Sequence, residues 1–114
     1  MYKIIISIVT LLLVTGCNST PPNYYYGEYT STVYSYFKAD EITIDEQVAQ
    51  LEEIIQTAAQ NNMLVAPGVH AHLGMLYFEL GNQSLGIQNL EIEKQLFPES
   101  STYIDFLLKS ARGA

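Results

Sequence analysis

The chain has 114 residues, with twelve Asp and Glu against five Lys and Arg, for a net charge of −7. That length supports one domain, and that charge excludes the broad cationic surface by which a protein holds nucleic acid or anionic lipid headgroups. Its single cysteine rules out an intrachain disulfide, so the thiol pairs with another chain, stays free or is consumed chemically.

Met1, Tyr2 and Lys3 form a short positive region, and residues 4–14 are an apolar run of signal-peptide length. The run is too short to span a bilayer, which takes about 20 apolar residues. It ends in Leu13-Val14-Thr15-Gly16-Cys17. This resembles the bacterial lipoprotein signal, in which a small residue permits cleavage before Cys and the thiol takes a diacylglyceryl group. The resemblance implies a signal peptide at 1–16, cleavage between Gly16 and Cys17, and lipidation of Cys17. The plainer alternative is an ordinary signal peptide with Cys17 near its cleavage site. The lipoprotein resemblance further implies three acyl chains in a Gram-negative host, and two lipid signals already suffice for stable anchoring. Asn18, where Asp would retain such a protein at the inner membrane, points to an outer-membrane, periplasm-facing location. From Cys17 onward only Lys38, Lys94, Lys109 and Arg112 face the twelve carboxylates, a net charge of −8.

Residues 17–23, with Asn18, Ser19, Thr20, Pro21 and Pro22, read as an extended tether. The helical domain is expected over 24–110. Six of the nine tyrosines lie between 24 and 36: Tyr24, Tyr25, Tyr26, Tyr29, Tyr34 and Tyr36. Tyr joins an apolar ring to a polar tip and suits several settings. Here Tyr29, Val33, Tyr36 and Phe37 can form the inner face of a short first helix; a partner-binding patch and membrane contact are the alternatives. Residues 38–42 read as a loop. Thr43-Ile44-Asp45-Glu46 fits a capping box, in which the hydroxyl and the carboxylate each satisfy a backbone N–H. A long helix follows to about residue 61, with Val48, Leu51, Ile55 and Ala58 as its buried stripe and Glu46, Glu52, Glu53 and Gln56 as its wet side. The first two helices together read as a pseudo-repeat.

From Pro67 the apolar residues Val69, Leu73, Leu76, Tyr77 and Leu80 recur at helical steps until Gly81-Asn82 breaks the pattern. The next helix, about 84–97, carries two stripes. Leu90 and Phe97 lie on one, with Gly86 between them; Leu85, Ile92 and Leu96 lie on the other. A helix apolar on two sides is expected to be sandwiched between neighbours. Pro98 stops it. Ser100 or Ser101 can cap a last helix with Tyr103, Ile104, Leu107 and Leu108, which covers the final apolar face. The tail from residue 110 is expected to fray.

The 67–100 segment resembles a tetratricopeptide repeat, a helix–turn–helix unit of about 34 residues. Leu73-Gly74 falls on its Leu-Gly pair, Tyr77 on its tyrosine, Gly81 on its turn glycine and Pro98 on its late proline. Small residues at Gly74 and Gly86 would let the two helix axes approach, and each glycine costs about 1 kcal/mol against alanine. His70 stands where the repeat favours tryptophan, and Glu93 where it favours alanine. The resemblance implies an all-α fold of about five helices in antiparallel hairpins. Some peptide-binding repeats clamp a carboxylate with cations on the first helix of each repeat. The matching surface here offers Ala71, Met75 and Phe78 and no cation, so it would take an apolar strand or helix if open. The simpler expectation is that the long preceding helix covers it.

No catalytic or metal-binding constellation stands out. His70 and His72 are two residues apart and point about 200° from one another on a helix, so they cannot share a metal ion. His70 is expected to pack at the tryptophan-like position and His72 to be exposed. Glu91 and Glu93 fail the same test, and Glu52-Glu53 reads as a solvated face. Phosphate loops, nucleophile elbows and Cys–His pairs are missing from the sequence. The expectation is no enzyme, no cofactor, no metal and no small-molecule substrate.

Tyr25–Tyr29, Leu51–Ile55, Pro67–Gly74 and Glu93–Ser100 together resemble a family of small bacterial lipoproteins of unknown function. Members are often encoded beside a curli-secretion-channel-like lipoprotein and a third lipoprotein, which implies a shared envelope assembly and such a lipoprotein as a partner. The first functional expectation is an outer-membrane-anchored adaptor that holds another cell-envelope protein through helical and tyrosine surfaces, with Tyr24, Tyr25, Tyr26, Tyr29 and Tyr34 as contacts. The second is a pilotin-like chaperone that escorts a pore-forming partner to the outer membrane. A cell-wall hydrolase is the third.

Overall fold

The computed structural model describes residues 1–6, 24–38 and 42–113. Gly16, Cys17, the 17–23 tether and most of the expected loop before Ile42 lie outside the described residues. Among those described, no helix is long and apolar enough to cross a membrane.

From residue 24 the order is strand β1 (Tyr24–Tyr25), helix α1 (Tyr29–Lys38), helix α2 (Ile44–Gln60), strand β2 (Leu64–Val65), helix α3 (Val69–Glu79), helix α4 (Gln83–Leu96), a 3₁₀ turn (Pro98–Ser100) and helix α5 (Ser101–Ala111). The fold is therefore mostly helical, as expected, with one addition. β1 and β2 form a two-residue parallel pair, Tyr24 opposite Leu64 and Tyr25 opposite Val65. A strand of two residues is too short to show an alternating pattern in the sequence.

Local chemistry sets most boundaries. At the start of α2 the Thr43 hydroxyl accepts from the Glu46 N–H at 3.2 Å, and the Glu46 carboxylate accepts from the Thr43 N–H at 2.7 Å. Those bonds hold the Glu46 carboxyl below its usual pKa, the backbone bond contributing most. α3 ends at Gly81, whose φ of +78° is readily adopted only by glycine, and the Asn82 N–H reaches back to the Tyr77 carbonyl. The Asn82 side chain then caps α4 by accepting from the Leu85 N–H, so this helix starts one residue earlier than expected. Phe97 is extended before Pro98, where α4 stops. Neither Ser100 nor Ser101 caps α5 through its side chain: both hydroxyls donate to carbonyls three residues back, because the 3₁₀ turn runs straight into the helix.

Each helix packs on the next, and α3 with α4 is the most extensive pair. Two clusters make the core. Val48, Leu51, Ile54 and Ala58 of α2 meet Val65, Ala66, Val69, Leu73 and Leu76; Leu90 of α4 meets Ile104 and Leu108 of α5, with Ala71, Phe78 and Ile87 against them. α3 serves both. On α2 the buried residue is Ile54, with Ile55 only half-buried. The stripe is turned because α1 and α3 both pack on this helix. α4 does lie between α3 and α5, as expected, but only one of its two stripes is covered. Gly86, Leu90 and Phe97 are buried, but Leu85 and Ile92 are half-exposed and Leu96 is 42% exposed. α3 and α5 both pack around Leu90, leaving the second stripe without a cover.

Between α3 and α4 the approach is close. A Cβ at Gly74 would stand 2.9 Å from the Gly86 carbonyl oxygen, and one at Gly86 would stand 2.6 Å from the Phe78 ring. The first neighbour is backbone and cannot swing aside. Only glycine keeps this crossing at its present distance.

Candidate functional site

The N-terminus of α3 is built around a buried carboxylate. Gly68 precedes the helix at a φ of +96°, and a Cβ there would meet the Tyr29 hydroxyl at 2.7 Å. With no side chain at Gly68 to cap the helix, Glu93 reaches across from α4. Its carboxylate accepts from the Gly68 N–H at 2.7 Å and from the Ala71 N–H at 3.2 Å. Glu93 is only 3% exposed, and a charge so placed is tolerable because two helix N–H groups and the positive end of the helix dipole face it. Its charge also bears on Tyr29, whose hydroxyl is held neutral to higher pH by burial first and by the Glu93 charge second.

On the same side, a cleft of about 340 Å³ opens between α1, α3 and α5, lined by Tyr29, Val33, Tyr36, Ala71, His72, Met75, Tyr103 and Leu107. Its size falls in the lower range of ligand pockets, roughly 300–1,000 Å³. A second cleft continues it toward Phe78, Gly81 and Ala111, sharing Met75 and Leu107, so the two form one trough along α3. The expected cover by α2 is absent: α2 packs on α3 through Leu51, Ile54 and Ala58, and α1 and α5 form the walls instead.

His72 departs most from expectation. It is half-buried, with its ring edge-on to Tyr36 at 5.0 Å and tilted against Tyr29 at 6.2 Å. Burial lowers its pKa below 6.5, against a smaller opposing pull from Glu79. Its Nε2 is buried without a hydrogen-bond partner. The Tyr36 hydroxyl donates to Glu79 at 2.8 Å, a bond that keeps the phenol protonated above its usual range. The trough thus offers aromatic faces, a thioether and a neutral imidazole, with one exposed carboxylate, Glu79, at its edge. Such a surface is suited to shape and apolar contact rather than to charge pairing.

His70 points the other way, 8% exposed, with Nδ1 3.0 Å from the Asn89 side-chain oxygen. The Asn89 amide nitrogen donates to the Leu85 carbonyl, so its oxygen accepts and His70 donates from Nδ1. The two histidines lie on opposite faces of α3. On the His70 side, Tyr77 donates to Glu52 of α2, and this bond, with burial adding to it, pushes the Tyr77 hydroxyl up to about 12. Leu73 is buried beneath it.

The tyrosines expected as contacts are dispersed. Tyr24 and Tyr25 sit in β1 and pack on the core, Tyr24 with its ring 5.7 Å from that of Phe97. Tyr26 and Tyr34 are more than half exposed, and Tyr29 alone of the five lines the trough. Sequence reasoning missed Tyr103, Leu107 and Glu79 as neighbours of that surface. Only the absence of a cation around Ala71 and Met75 hinted at its character.

The model of a family described as a domain of unknown function (DUF4810) matches residues 23–107. The chain belongs to this family. The match takes in every strand and helix from β1 to the middle of α5. No curated protein and no solved structure matches the chain.

Proposed function

We propose that this member of the family is a lipid-anchored adaptor of the bacterial envelope. Cys17 carries the lipid, residues 17–23 space the helical body from the outer membrane, and the periplasm-facing trough holds another cell-envelope protein. The observation that carries the reading is the uncovered apolar trough along α3. A cleft lined mainly by apolar and aromatic side chains with a few polar groups is where binding is first expected. The tetratricopeptide-like architecture belongs to the same proposal. It is supported by the Gly74–Gly86 approach, the left-handed Gly81 turn and the way α1, α3 and α5 line one face of the stack.

The test is purification of the tagged protein from gently solubilised membranes. An adaptor brings down one envelope partner in equal amount, and Met75→Glu abolishes that complex while the protein remains helical. Loss of the partner's membrane location on deletion, without a lasting complex, points to the escort role. Recovery of the protein alone, with no displaced partner on deletion, contradicts both.

A further inference from the structure

The trough carries information about the chemistry of its occupant, and this inference rests on the adaptor reading. Its floor and walls, from Tyr29 and Tyr36 through His72 and Met75 to Tyr103 and Leu107, include no Lys or Arg and no carboxylate. Two carboxylates stand beside the trough: Glu93 is buried and already engaged by the Gly68 and Ala71 N–H groups, and Glu79, the last residue of α3, is the exposed one. The Glu79 carboxylate accepts the Tyr36 hydroxyl and reaches His72 with its field. Two cations of the folded body are already engaged: Lys94 pairs with Asp105 at 2.6 Å, and Arg112 lies 3.7 Å from Glu91. The trough's Tyr36 end is therefore an aromatic and carboxylate corner on a protein of net negative charge. Aromatic faces attract cations through the ring quadrupole.

Length narrows the occupant further. The two clefts run along α3, whose eleven residues span about 16 Å, or three helical turns. We propose that the trough takes a short amphipathic helix of a protein partner, apolar along the face that meets Met75 and Leu107, with a Lys or Arg at the end that meets Tyr36 and Glu79. Helix-in-groove recognition of this kind is read through anchors one turn apart.

The test uses the full-length lipidated protein in neutral phosphatidylcholine nanodiscs, with empty discs as the blank. The probe is a fluorescent three-turn peptide of Leu and Lys, compared with the same peptide carrying Gln or Glu for Lys. The Leu/Lys peptide should bind, the Leu/Glu peptide at least tenfold more weakly, and added salt should narrow the difference. Glu79→Gln should weaken the Leu/Lys peptide about two- to fivefold, the range of an exposed charge pair, and leave the Leu/Gln peptide unchanged. Tyr103→Ser, at a residue 60% exposed, should weaken all three without unfolding the chain. Gln88→Ala, on the opposite face, should change nothing. Equal binding of the Lys and Gln peptides, with Tyr103→Ser still disruptive, would overturn the cationic occupant and leave the trough as the binding face. Binding indifferent to Tyr103→Ser would remove the trough itself.

Discussion

At the scale of single residues, two polar groups do most to define the face of α3. Glu93 holds two backbone N–H groups from inside the fold. Glu93→Ala leaves both unsatisfied and should destabilise by about 1–3 kcal/mol. At roughly 4–8 °C per kcal/mol for a domain of this size, thermal unfolding followed by circular dichroism should fall by several degrees or more. Glu93→Gln keeps one acceptor and should fall less; an unchanged melting temperature in Glu93→Ala would refute the cross-helix cap. His72 supplies a pH signature. Its folded pKa is depressed by burial, so the stability it contributes is present above pH 6.5 and is lost as pH falls through the folded value. The imidazole signal in an NMR titration should move below the ordinary 6.5, and unfolding in acid should be gentler in His72→Phe. A midpoint at or above 6.5 would place the ring in water. Neither residue could be read from its neighbours in sequence. Glu93 lies 25 residues from Gly68, and His72 is buried by rings that come from α1.

Elements were legible where the signal is local. The capping box at Thr43, the left-handed glycine at 81 and the stop at Pro98 act within a few residues, and the helices they bound stand where spacing placed them. What spacing left open was how each helix rolls on its neighbours. A turn of one residue on α2 exchanges Ile54 for Ile55, and packing on both α1 and α3 decides which is buried. The second stripe of α4 was visible in sequence, but the helix needed to cover it does not arrive, since α5 packs around Leu90 instead. The α3/α4 crossing can be tested directly. Gly74→Leu drives a side chain into the Gly86 carbonyl and the Leu90 side chain, and overpacking of this kind costs about 1–3 kcal/mol or more. Chemical denaturation should show a lower midpoint, with Gly74→Ala intermediate. A wild-type midpoint in Gly74→Leu would mean that the helices stand farther apart.

The whole molecule is an acidic, mostly helical body. Two clusters joined by α3 make a small core, and the trough lies where that shared helix is left uncovered. Anchoring by Cys17 would hold the body at a membrane while its net charge keeps it off anionic headgroups. Cys17→Ser should release the protein into the soluble envelope fraction or leave it unprocessed, as cell fractionation with immunoblotting would read. Normal membrane recovery of that variant would exclude a lipid anchor.

The most direct measurement places a photoreactive amino acid at Met75, on the trough, or at Gln88, on the opposite face of the stack, in the intact envelope. The account predicts a strong adduct to one envelope protein from Met75, none from Gln88, and loss of the Met75 adduct when Cys17 is Ser. Equal adducts from both faces, or none from Met75 with the protein correctly anchored, would contradict it.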